Sequence, residues 1–189
     1  LYPKADRVIA PSRVVVDDLC RRVPNLQGGV ALLHNPVDVA FLRARATPPI
    51  REPGSGLRLV AAGRLRSQKG FDRLIPLMTR WPDETTLTVF GEGPEEDVLR
   101  SLIARHGLDK RVRLAGFTAN PWAHYAGADL LVLPSRHEGL PNFALEALAC
   151  GTPVLATPES GGIGEIASAA SPGAVELAEI ETPFADAVA

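Results

Sequence analysis

Residues 129–157 read DLLVLPSRHEGLPNFALEALACGTPVLAT. An apolar run, DLLVLP, gives way to a polar loop holding Gly139 and Pro141. A helical pattern follows over 142–150, Gly151 stops it, and a second apolar run, PVLAT, begins at Pro153. Glycine is the natural residue just past a helix end, and proline suits a helix start. Strand, helix and strand in so short a span form a βαβ unit, which implies a parallel pair. The same alternation extends outward through LRLVAAG (57–63), TLTVFG (86–91) and VRLAG (112–116), with helices expected near 71–80, 95–106 and 121–127. These runs are almost continuously apolar, as strands covered on both faces must be. The expected fold is α/β, a doubly wound Rossmann-like parallel sheet beginning near residue 57.

Upstream, RVIA (7–10) and VALL (30–33) flank a helical stretch from Val14 to Arg22. Residues 48–56, PPIREPGSG, lack periodicity and read as a linker, so residues 1–47 are expected to belong to a different unit. The chain starts at Leu1, and Thr182-Pro183 resembles the cap and first turn of another helix, so it reads as a piece cut at both ends.

The 189 residues are 46% apolar and 22% charged, with net charge −2, which excludes a disordered or collagen-like chain. Gly and Pro number 17 each and aromatics only ten, a composition of many short turns around an aliphatic core. No run approaches the roughly 20 apolar residues of a membrane span, and no leader pattern opens the chain. Cys20 and Cys150 lack metal-ligand spacing and read as reduced thiols of a cytosolic protein. The small net charge conceals an asymmetry: residues 1–80 carry +8 and residues 81–189 carry −10. The basic residues are neither dense nor interleaved with aromatics, so nucleic acid is not an expected partner.

In this fold class ligands sit beyond the carboxyl ends of the strands. After the first strand comes GRLRSQKG (63–70), where Arg64 and Lys69 lead into a helix N-terminus. That arrangement fits a phosphate clamp as well as a solvated basic loop. It lacks the GxxxxGK[ST] spacing of a P-loop. After the second strand, Gly91-Glu92-Gly93-Pro94 suggests a dinucleotide turn, but Glu96 stands where a third glycine belongs and its charge opposes a pyrophosphate. What remains is a close-approach turn beside a base or sugar, or a plain tight turn. Phe117, Asn120 and Trp122 follow the third strand. After the fourth, Glu138 and Glu146 frame a loop-to-helix segment with Gly139, Leu140, Asn142 and Phe143, whose N–H groups suit a sugar or phosphate. Glu146 lies among Phe, Ala, Leu and Cys, and a carboxylate there needs a partner. Acceptance from a ribose diol and bonding to backbone are the two readings.

Together GRLRSQKG, GEGP, EGLPNFALEALACGTPV and Gly161-Gly162-Ile163-Gly164-Glu165-Ile166 resemble the family 4 (group 1) retaining glycosyltransferases of GT-B architecture. The likeness includes an E-x7-E pair, Glu138 and Glu146, and the Asn35-Pro36-Val37-Asp38 segment that precedes the second domain in that family. It implies residues 1–47 as the tail of an acceptor domain, 48–56 as linker and 57–189 as a C-terminally truncated donor-binding domain that is inactive alone. Arg64 and Lys69 then hold the donor diphosphate without metal or cofactor. Glu138 faces the donor sugar and Glu146 the ribose. The backbone from Gly139 to Phe143 lies against sugar and phosphate, Gly91 and the residues near Phe117 line the base, and Gly63 and Gly93 are further substrate-binding positions. The Phe117…Asn120-Pro121 and GLPN combination leans toward a UDP-linked donor. The acceptor is expected to be a saccharide or lipid-linked saccharide, and the enzyme cytoplasmic with peripheral membrane contact through the remainder of the acceptor domain. Gly164 departs from the family's usual proline and is expected to loosen a loop. A UDP-sugar epimerase of the same architecture and a non-catalytic nucleotide-sugar-binding subunit are the rival readings.

Overall fold

A computed structural model describes residues 5–26, 29–180, 184, 186 and 187. Thr182 and Pro183 lie outside the described residues. Strands β1 (Val8–Ala10) and β2 (Val30–Leu32) form a small parallel sheet around helix α1 (Arg13–Arg22), and α2 (Val39–Arg45) follows. The main sheet comprises β3 (Arg58–Ala62), β4 (Thr86–Phe90), β5 (Val112–Gly116), β6 (Leu130–Leu133), β7 (Val154–Ala156) and β8 (Val175–Leu177). Helices α3 (Phe71–Leu77), α4 (Glu96–Arg105), α5 (Trp122–Gly127), α6 (Asn142–Ala149) and α7 (Ile163–Ala169) connect the strands.

The spatial order is β5-β4-β3-β6-β7-β8 and every pairing is parallel. The expected doubly wound α/β sheet is therefore present. The chain builds outward from β3 in one direction and from β6 in the other, so the order reverses between these two central strands.

Period-2 alternation distributes the core. Leu59 and Ala61 of β3, Leu87 and Val89 of β4, and Val112 and Leu114 of β5 pack against Phe71, Leu74, Ile75 and Met78 on one side and Leu99 and Ile103 of α4. Val60, Phe90, Leu131 and Leu133 face the opposite layer, where Tyr125, Ala144, Ala147, Ile163 and Ile166 cover them. Both sheet faces are thus dry, and each Leu→Ala change in this core should cost about 2–5 kcal/mol.

Three elements were not expected from sequence. Residues 39–45 form α2, with the Asp38 carboxylate accepting from Phe41 N–H at 3.0 Å. Strand β8 is only three residues long, with Val175 half-buried and Glu176 and Leu177 exposed. Gly164 lies in the first turn of α7, not in a loop, which corrects the expected loosening. A proline is tolerated at a helix start, so glycine here changes backbone entropy and leaves the path of the chain intact.

The candidate functional site at the switch point

The loops after β3 and β6 leave the sheet side by side, where the strand order reverses, the position at which such folds bind ligands. Several bonds join them. Arg136 N–H donates to Gln68 O at 2.8 Å, and Gln68 Nε2 donates to His137 O at 3.0 Å. Arg136 also makes a two-pronged ion pair with Asp72 on α3, both contacts at 2.7 Å. That hydrogen bond, foremost, holds the Asp72 carboxyl below the usual carboxylate range. Gly70 has φ 70°, and a Cβ there would stand 1.9 Å from Pro134 O, so only glycine permits this approach.

The juxtaposition brings Lys69 to Glu138, 69 residues apart in the chain. Lys69 Nζ donates to Glu138 Oε1 at 2.6 Å and lies 4.5 Å from the Phe143 ring centroid. The pair is well shielded, with side chains 14% and 9% exposed. Ser135 Oγ donates to the same Glu138 oxygen at 2.7 Å. Ser135 is completely buried, and its carbonyl accepts from Thr157 Oγ1 at 2.9 Å and Ser160 Oγ at 3.1 Å. Sequence reasoning missed this set of buried hydroxyls because isolated Ser and Thr residues give no periodic signal.

Beside the pair, a cleft of about 450 Å³ opens at the carboxyl ends of β3, β4 and β5, lined by Gly63, Arg64, Gly91, Phe117, Pro121 and Tyr125 among others. The Lys69 side chain runs beneath Gly63, within 3.3 Å of where a Cβ would stand, which joins cleft and ion pair. Gly91 has φ 134° and lies so close to Gly63 that a Cβ would meet its carbonyl oxygen at 1.9 Å. Arg64 is exposed and makes no ion pair among the described residues. Phe117 is 74% exposed at the rim. A larger hollow of about 660 Å³ lies toward the opposite ends of β4 and β5, around Thr86, Lys110 and Arg113, and includes none of the expected site residues.

In the loop before α6 the backbone N–H groups of Gly139 and Leu140, and in its first turn those of Asn142 and Phe143, donate to no acceptor among the described residues. The two free donors of the first turn, Asn142 and Phe143, lie at the partial positive pole of the helix. Glu146, about one turn along, has its Oε2 bound to Trp122 Nε1 at 3.1 Å, so its partner is an indole rather than backbone. Burial, and then the Glu146 charge, push the cleft-lining Tyr125 phenol upward. Gly93 packs against the Leu65 backbone, and the Leu140 side chain faces His34 and Ile166.

The N-terminal segment also reaches the site. Ser12 Oγ donates to Gly139 O at 2.8 Å, and Asn35 Nδ2 donates to Asn142 Oδ1 at 2.6 Å. Glu165 accepts from Arg13 N–H at 2.6 Å and contacts His34 Nε2 at 2.9 Å. Burial acts to raise the Glu165 carboxyl, but His34 and the N–H groups of Arg13 and Val14 outweigh it and hold it low. Among the described residues no cluster of three His, Cys, Asp or Glu side chains has metal-binding spacing, and no helix is long and apolar enough to cross a membrane.

The family described as glycosyl transferases group 1 matches residues 45–188. A Campylobacter jejuni N-acetylgalactosamine-N,N'-diacetylbacillosaminyl-diphospho-undecaprenol 4-alpha-N-acetylgalactosaminyltransferase is 30% identical over 166 residues, covering 88% of this chain and 45% of its own. The Mycobacterium tuberculosis glycogen synthase is 32% identical over 170 residues, covering 87% and 40%. Among solved structures, Anabaena Alr3699/HepE in complex with UDP superposes with TM-score 0.79 at 22% identity, over 97% of this chain and 53% of that one. Sucrose-phosphate synthase from Thermosynechococcus elongatus gives TM-score 0.79 at 25% identity, over 98% and 49%. The chain thus spans about half the length, or somewhat less, of the proteins it matches.

Proposed function

The chain belongs to the glycosyl transferases group 1 family, and from that premise we propose that it is the donor-binding half of a retaining, nucleotide-sugar-dependent glycosyltransferase of family 4. Residues 1–47 are then the tail of an acceptor domain, 48–56 the linker, and 57–189 the donor-binding domain. The observation that carries this reading is the meeting of the β3 and β6 loops at the switch point, where Lys69 runs beneath the cleft-lining Gly63 to reach Glu138, beside the exposed, cleft-lining Arg64. Such a set suits a diphosphate, and its charge matters most when the nucleoside diphosphate departs. Fixed cations stabilise that developing charge and lower the barrier selectively. Arg64 and Lys69 fill the role here, so transfer by the whole enzyme is expected to persist in EDTA.

In this reading Glu138 faces the donor sugar, held by Lys69 and Ser135, and Glu146 takes the ribose hydroxyls. Gly63, Gly91 and Phe117 border the base. The donor is UDP-linked, a choice supported by the Phe117…Asn120-Pro121 and GLPN residues and by the UDP complex of the Anabaena protein of like fold. The acceptor is a polysaccharide or lipid-linked saccharide, as the names of the relatives suggest. The whole enzyme works in the cytoplasm, with peripheral membrane contact through the rest of the acceptor domain.

Calorimetry with UDP, GDP and ADP tests the site and identifies the base. UDP is expected to bind best, and failure of all three at millimolar concentration would overturn the reading. Glu146→Gln is expected to weaken UDP binding, whereas Glu138→Gln chiefly slows sugar transfer in the whole enzyme. Equal binding losses would remove that division of roles. The anomeric configuration of the product, read by NMR, tests retention.

A further inference from the structure

We propose that Trp122 is a positioning residue for nucleoside diphosphates, holding the Glu146 carboxylate in the orientation that receives the ribose diol. The inference rests on the donor-site reading above and extends it to a residue outside the motifs that suggested it. Glu146 projects from a helix of apolar neighbours, and among the described residues its side chain has one hydrogen bond, from Trp122 Nε1 to Oε2. One oxygen is pinned and the other remains available. An indole N–H only donates, so it occupies a carboxylate lone pair without offering an acceptor that competes for the ligand's hydroxyls.

The indole is itself held from behind. The Phe41 ring of α2 meets it edge-on, with centroids 5.5 Å apart and planes at 74°. Arg45 lies over the Phe41 ring at 4.8 Å, and Asn120 Nδ2 donates to Arg45 O at 3.1 Å, tying the chain just before Trp122 to the same helix. Pro121 and Tyr125, on either side of Trp122 in sequence, both line the cleft. A continuous buttress thus runs from α2 through Trp122 to Glu146. Loss of the indole donor frees the carboxylate to rotate and removes the bond that directs it.

The test compares UDP with 2′,3′-dideoxy-UDP by calorimetry on the 189-residue chain. Trp122→Phe is expected to weaken UDP binding about ten-fold and to leave the dideoxy nucleotide essentially unchanged. In a Glu146→Gln background the same substitution should add nothing. Equal losses for the two nucleotides, or unaltered UDP binding, would overturn the proposal, since a merely structural defect affects both ligands. A ligand-free measurement stands beside it should Trp122→Phe fail to fold. The chain has two tryptophans, and Glu146→Gln should shift the Trp122 indole N–H resonance. An unmoved resonance rejects the indole–carboxylate bond. Absence of nucleotide binding by the wild-type chain while that resonance still moves would instead reject the donor-site reading, and with it this assignment of purpose.

Discussion

Glu138 Oε1 accepts from both Lys69 and Ser135 in a site where the two charged side chains are only 9% and 14% exposed. A shielded ion pair contributes little net stability because desolvation offsets the attraction, yet removing one partner leaves an uncompensated charge. Lys69→Met is therefore expected to destabilise the fold by about 3 kcal/mol, measured by urea denaturation. Adding Glu138→Gln should recover much of that loss. If the single and double variants unfold at the same urea concentration, the pair is not the source of the cost. The same reasoning explains why Glu146 accepts from an indole: an acid on an apolar helix requires a donor, and its residue type indicated that need but not who would meet it.

At the scale of elements, the 3₁₀ turn at Ser67–Lys69 and helix α3 are set against the β6 loop by one residue without a side chain. Gly70 is left-handed and touches Pro134 O, while Gly107, also left-handed at φ 65°, has open space around it. Gly107→Ala should cost about 1 kcal/mol, the backbone penalty alone. Gly70→Ala should cost more than about 2 kcal/mol and should also weaken nucleotide binding, because α3 cannot stay in place without moving Lys69. Equal melting temperatures for the two variants would show that the contact relaxes freely. The helices α3 to α6 were expected within a few residues of their places, since their apolar spacing and their glycine and proline borders are local signals. Helix α2 was not, because seven residues after Pro36 give too short a period to distinguish from a loop.

For the whole molecule, two carboxylate bonds, one joining α3 to the β6 loop and one joining the N-terminal segment to α7, predict a pH dependence. Asp72 and Glu165 both have carboxyls held below their ordinary values, the first mainly by Arg136, the second by His34 and backbone N–H groups acting against burial. A carboxyl depressed in the folded state adds stability that is complete above its unfolded pKa, near 4, and is lost as pH falls through the lower folded value. Urea midpoints should therefore fall between about pH 5 and pH 3. Glu165→Gln should flatten the slope and expose residues 5–45 first to hydrogen exchange. An unchanged slope would mean these groups titrate alike in both states. Sequence by itself determined β1 to β7, α1 and α3 to α6, and the loops at the ends of those strands, because periodicity, glycine and proline act within a few residues; α2, α7 and β8 escaped it. It therefore placed Arg64, Lys69 and Glu138 in loops that follow strands, and Glu146 on the helix after one of them. Tertiary structure decided that β3 lies beside β6, that Lys69 meets Glu138, that Trp122 donates to Glu146, that Ser12 touches Gly139 and that Asn35 touches Asn142 at the start of α6. Parallel pairing joins segments far apart in sequence, so its register depends on how both faces of the sheet are buried, and no single stretch of the chain carries that information.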